Sequence, residues 1–183
     1  MRLVTRPRGI ILDRQNAKED NLLSQKMITP AIAVNRLQKW LAAIQLQGSR
    51  VSAPVHERQP TSETHRSIDA HFFVVAAANS RTWAEELLPL RLDLKNNLET
   101  FISSLPEAKD LRNMLEHDNE YLRGKGHKQS KHLKNTVLNA GKIRVIGIHP
   151  QVVVNSAEGI SIGGRLFVTE TMKAASLLVP FIK

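Results

Sequence analysis

Arg112, Asn113, Glu116, His117, Glu120 and Tyr121 crowd into one short stretch of the chain, and their spacing is that of neighbours on a helix. At roughly 100° per residue, with Arg112 at zero, Glu116, Glu120, Asn113, His117 and Tyr121 fall at about 40°, 80°, 100°, 140° and 180°. Leu111, Met114, Leu115 and Leu122 take the other side, so the spacing predicts one amphipathic helix with a buried apolar stripe. Its polar face offers a guanidinium, carboxylates, an imidazole and a carboxamide to a single anion. That set suits phosphate chemistry. Arginine presents a two-pronged donor to phosphate oxygens, and histidine serves as acid or base near neutral pH.

Such a face has to be held by other elements. Thr29-Pro30 supplies an N-cap and a first-turn proline, after which Ile32, Val34, Leu37, Leu41 and Ile44 keep helical spacing up to Gly48. Ser49 to His65 is rich in Pro, Ser, Thr, Arg and His and reads as a long loop. A second helix is expected over Ser67 to Leu88, with Ile68, Phe72, Val75, Asn79, Trp83 and Leu87 on one stripe and Pro89 as its stop. A third runs from about Arg91 to Leu105. Pro106 then opens the motif helix, which ends near Gly124. Four amphipathic helices with mostly short connections predict a mainly α, up-and-down bundle.

After residue 124 the character changes. Ile143 to Ile148, Val152 to Val154, Ile160 to Ile162 and Leu166 to Val168 are β-rich runs separated by turn residues, and they predict a small antiparallel meander followed by a last helix capped by Thr169 or Thr171. The expected organisation is an N-terminal arm (1–28), the bundle (29–124), a basic linker (125–141) and a β-rich C-terminal appendage whose helix packs on the bundle (142–183).

The chain of 183 residues has a formal net charge of +9 and no cysteine, which favours a polyanionic partner and excludes disulfides and thiolate metal sites. Arg123, Lys125, Lys128 and Lys131 follow the motif closely, and no acidic residue occurs between Tyr121 and Glu158. These cations are the expected contacts to a nucleic-acid backbone. With one Tyr, two Trp and five Phe, a base-stacking platform has little support. His71 reads as a partly buried core histidine. His127 and His132 have no carboxylate near them in sequence, so no metal site is expected there. Gly159, Gly163 and Gly164 read as turns. No apolar run approaches a membrane span, and the N-terminal residues are unlike a secretory signal, so a cytoplasmic protein is expected.

Arginine followed closely by histidine also recurs at Arg50/His56, Arg58/His65, Arg66/His71 and Arg144/His149, so that spacing alone decides nothing. What separates Arg112/His117 is Asn113 after the arginine and the polar face that Glu116 and Tyr121 extend. Arg112-Asn113-Met114-Leu115-Glu116-His117 resembles the Arg-polar-x-x-x-His motif of the HEPN superfamily, small helical bundles that include metal-independent ribonucleases. Asp69-Ala70-His71-Phe72-Phe73 and the longer string to Tyr121 are similar to a group of bacterial HEPN-like proteins. The resemblance covers about residues 30–124.

It implies an endoribonuclease without metal or other cofactor, in which Arg112 and His117 act together at a site shared by two protomers, with Asn113, Glu116 and Tyr121 in support. The partners implied are RNA and a second copy of the chain, with an antitoxin or another protein as a further one. Some HEPN proteins only bind nucleotides or partners, so a non-catalytic module using the same face is the alternative. A structural reading also stands: Arg112 would simply pair with Glu116 or Glu120, and His117 would serve an interface.

Overall fold

The computed structural model describes residues 28–53, 62–140 and 143–183. The expected arm, apart from Ile28, and the middle of the expected 49–65 loop lie outside the described residues. The chain is mainly helical, with small antiparallel sheets in its C-terminal part.

Helix α1 spans Pro30–Ser52, and Thr29 caps it as expected, its hydroxyl accepting the Ile32 N–H at 3.3 Å. Val34, Leu37, Leu41, Ile44, Gly48 and Val51 form the buried stripe, alternating three- and four-residue steps that keep one face turned inward. Each large member contributes about 1.5–3 kcal/mol by leaving water. The helix runs on past Gly48, the expected end, and this glycine serves close packing instead of termination. A Cβ there would meet the Met172 thioether and the Phe73 ring.

Helix α2, Ser62–Leu87, starts earlier than expected, and its buried face is offset from the stripe read in the sequence. Ala70, Phe73, Val74, Ala77, Ala84 and Leu87 are buried, whereas Ile68 and Phe72 are about half exposed. Ala76, Ala77 and Ala78 are all buried, and a count of large apolar side chains overlooks them.

The third expected helix divides into a short 3-10 turn, Leu92–Leu94, and α3, Lys95–Ser103. The motif segment also divides. Helix α4 covers Ala108–Glu116 and α5 covers Asp118–Leu122, and His117 between them takes φ −113° and ψ 29°. Leu111 and Met114 are fully buried, and α4 packs against α2.

Strand β1, Lys134–Ala140, occupies much of what the sequence suggested was linker, and it pairs antiparallel with β2, Ile143–Ile148. Strands β3 (Val153–Ser156), β4 (Gly159–Ile162) and β5 (Leu166–Phe167) form a second antiparallel sheet in sequential order. Two small sheets therefore replace the single expected meander. Gly163 and Gly164, with φ of 59° and 60°, make the β4–β5 turn in the left-handed region that glycine tolerates.

Helix α6, Val168–Leu178, has Phe167 at its N-cap and no threonine side-chain cap; Thr171 is buried instead. It packs on α1 and α3. Gln45 donates to the Met172 carbonyl at 2.7 Å and Gln38 to the Ile182 carbonyl at 2.9 Å, joining the C-terminal segment to the helical core.

Candidate functional site

Arg112 lies on the outward face of α4. Its Nε donates to Glu116 Oε1 at 2.8 Å, an i,i+4 pair with each side chain about one-third exposed. Glu116 thus holds the inner edge of the guanidinium. Among the described residues, the two terminal amino groups of Arg112 have no hydrogen-bond partner, so they are available to an anion. Asn113 is exposed beside them.

His117 ends α4 and precedes α5. Its N–H donates to the Asn113 carbonyl at 3.0 Å, and its own carbonyl accepts the Glu120 N–H at 2.8 Å. The imidazole is more than half exposed, with Nδ1 3.7 Å from Glu120 Oε1. Arg112 and His117 each have a carboxylate of their own, and no hydrogen bond or ion pair joins the two groups among the described residues. Arg112 lies mid-way along α4 and His117 just past its end, and both side chains reach solvent. A groove of about 530 Å³ between α3 and α6, lined in part by Thr100, Phe101, Lys173 and Phe181, contains none of the candidate residues.

Tyr121 is not on the exposed polar face, contrary to the continuous-helix expectation. It is 4% exposed. The helix break at His117 re-phases the second segment, and the chain after Gly124 folds back over the ring. The Tyr121 hydroxyl donates to the His127 carbonyl, Gln129 Nε2 donates to the Tyr121 carbonyl at 2.9 Å, and the His132 ring stacks on the phenol with centroids 5.0 Å apart. Burial and the nearby Asp110 charge raise the phenol's pKa. Tyr121 is a packing residue for the return segment.

The cations divide into two kinds. Arg123 and Lys125 are exposed, with no ion pair among the described residues. Lys128 donates to both Asp110 oxygens, at 2.7 and 3.0 Å, and Lys131 lies 3.8 Å from the same carboxylate. The basic run therefore has a counter-charge after all, supplied from the first turn of α4. Lys128 holds the Asp110 carboxyl below its usual pKa, against the opposing effect of burial.

His71 is half-buried, its ring edge-on to the half-exposed Phe72. The fold also gathers a group that sequence reading missed. Asp118 Oδ1 lies 3.8 Å from His132 Nε2 and 3.6 Å from His149 Nε2, and the two imidazoles meet edge-on with centroids 4.7 Å apart. His132 has no carboxylate near it in sequence, but the return of the chain brings it to Asp118. The available signal was only the joint presence of Asp118, His132 and His149 around a break, a basic turn and a Pro-containing loop, and their separation along the chain hid the grouping.

Comparison with protein-family models, curated proteins and solved structures finds no match. No helix among the described residues is long and apolar enough to cross a membrane.

Proposed function

We propose that the chain is a HEPN-type, metal-independent endoribonuclease working as a homodimer, with the helices through α5 forming the HEPN-like bundle. What carries the reading is the Arg112–Glu116 pair. Glu116 occupies only Nε, so that among the described residues the terminal amino groups of Arg112 have no hydrogen-bond partner, five positions before the exposed imidazole of His117.

In the reaction, a base takes the proton of the ribose 2′-OH while O2′ bonds to phosphorus. The P–O5′ bond breaks, and an acid returns a proton to O5′, leaving a 2′,3′-cyclic phosphate and a 5′-hydroxyl. Arg112 neutralises charge gathering on the non-bridging oxygens. One chain carries one motif histidine, so a second copy supplies the other proton-transfer group across a two-fold axis. Arg123 and Lys125, with Lys128 and Lys131 once displaced from Asp110, hold the RNA backbone. Asn113 binds phosphate alongside Arg112, and Glu116 is a positioning residue.

The test is cleavage of a labelled RNA in excess EDTA, with end-group analysis, circular dichroism in the same buffer and the mass of the oligomer by light scattering. Cyclic-phosphate ends from a dimer, with rates falling at least about 100-fold in folded Arg112→Ala and His117→Ala, are expected. Cleavage that survives both substitutions, or comes from a monomer, would sink the reading. Thermal stabilisation by nucleotides without cleavage would instead favour the binding module.

A further inference from the structure

We infer that Asp118, His132 and His149 form a divalent transition-metal site, best matched to zinc, that clips three separate segments of the chain together. Asp118 is the first residue of α5, His132 ends the return segment, and His149 follows β2. One ligand atom from each lies within 4.8 Å of the others. Zinc bonds to imidazole nitrogen and carboxylate oxygen at about 2.0–2.2 Å, which sets tetrahedral ligand atoms about 3.3 Å apart. The 3.6 and 3.8 Å separations from Asp118 to the two histidines need only a slight contraction, and the two imidazole nitrogens, within 4.8 Å of each other, close on the ion from either side.

A second observation points to a ligand. Asp118 Oδ1 and His132 Nε2 are both sealed from solvent and make no hydrogen bond among the described residues, and His132 is only 6% exposed. Buried polar atoms normally have partners, and a pair left without them and facing one another calls for an occupant. The donor set of two imidazoles and one carboxylate is borderline in softness and suits zinc better than calcium or magnesium, which prefer all-oxygen cages. Burial and, after it, the neighbouring His149 lower the pKa of His132, against the opposing effect of Asp118. The nearby Arg165 charge, which would oppose a cation, is balanced by Glu107 at 2.9 Å. Asp118 and His149 are about one-fifth and one-quarter exposed, so water can complete the coordination.

His149 adds a proton-level signature. Its Nδ1 accepts the Gln151 N–H at 3.3 Å, which puts the ring proton on Nε2, facing Asp118. Metal uptake through Nε2 requires that nitrogen to be free of its proton, which moves to Nδ1 and displaces the Gln151 amide, so that a long, weak hydrogen bond is lost.

The inference stands apart from the ribonuclease reading, and its readouts are spectroscopic. Chelator-stripped protein is titrated with Co²⁺ and then Zn²⁺, with visible absorption, equilibrium dialysis and ¹⁵N-resolved NMR. Expected are one ion per chain, cobalt ligand-field bands displaced by zinc, a shift of the Gln151 amide, and affinity weakened more than about 100-fold in Asp118→Asn and in His149→Gln, beyond typical outer-shell effects. The exposed control His127→Gln binds as the parent does. Absence of binding, or binding that both variants retain, overturns the site. If the variants do not fold, the parent decides: zinc that leaves the Gln151 amide and His149 ring nitrogens unshifted also overturns it.

Discussion

Replacing Glu107 tests how the C-terminal sheets are locked to the motif helix. Arg165, in the β4–β5 turn, has a side chain only 3% exposed, and its guanidinium bonds Glu107 Oε2 at 2.9 Å, the Lys131 carbonyl, and the His132 carbonyl at 3.3 Å. Glu107 occupies the N-cap position of α4 without a side-chain capping bond, so a single buried cation links that helix, the return segment and the second sheet. Glu107→Ala leaves the guanidinium with carbonyl partners but no counter-charge. Removing one partner of a fully buried pair costs about 3–5 kcal/mol, whereas exposed pairs are worth about 0–1 kcal/mol. Glu107 is 38% exposed, so water screens its end of the pair, and a loss of about 2 kcal/mol follows. For a chain of this size that lowers Tm by about 4–8 °C. Thermal and urea melts of Glu107→Ala, Arg165→Met and the double variant measure it, and the cycle isolates the pair from the other contacts of each residue. With Met at 165 the buried charge is gone, and Glu107→Ala should then cost less than about 0.5 kcal/mol. A single-variant loss below that figure, or equal losses in both backgrounds, would refute the argument.

Asp110→Asn should change the acid limb of stability. The folded Asp110 carboxyl titrates below its unfolded value because Lys128 hydrogen-bonds to it. Its contribution is therefore complete above about pH 4 and lost as pH falls through the lower folded value. Urea melts from pH 6 to 2 should show a shallower acid decline in the variant, and parallel curves would count against the pairing. Gly126→Ala should destabilise by about 1–3 kcal/mol, the usual cost of overpacking, because a Cβ there runs into the Tyr121 ring, which is stacked on His132 and tethered by its hydroxyl. Near-ultraviolet circular dichroism of the single tyrosine should lose intensity, and an unchanged spectrum with unchanged Tm would contradict the packing described for the return segment.

The helices were legible wherever one strong local signal acted. Thr29-Pro30 marked the start of α1, and Leu37, Leu41 and Ile44 marked its buried stripe, because capping and burial there agree along one face. On α2 the signal misled: Ile68 and Phe72 match the helical period, but the buried face includes alanines that carry little hydrophobic weight. The Arg112–Glu116 pair was legible because i,i+4 neighbours meet on any helix. The burial of Tyr121 was not, since it depends on a helix break and on a chain reversal through residues 124–132 that reads in sequence as a solvated basic linker. Non-local contacts also decide where charges are balanced, which is why Asp110, upstream of the motif, neutralises Lys128.

His117 and Asp118 show what the break accomplishes. In an unbroken helix these neighbours would project about 100° apart from one shared surface. With His117 out of helical geometry, its own imidazole is 57% exposed while the Asp118 carboxylate is 20% exposed and turned toward His132 and His149. One peptide bond thus separates a group facing solvent from a group facing the interior. Anything that fixes Asp118, whether an ion or the surrounding packing, also limits the directions open to His117, because the carbonyl of His117 is bound by the N–H groups of Glu120 and Tyr121 in α5. The inward cluster and the outward polar face are therefore mechanically joined even though their chemistries differ. Asp118→Asn should consequently restrict His117 less than the parent chain does, visible as faster side-chain relaxation of the His117 ring by NMR. Unchanged relaxation would mean that the helix break is held by its backbone hydrogen bonds alone.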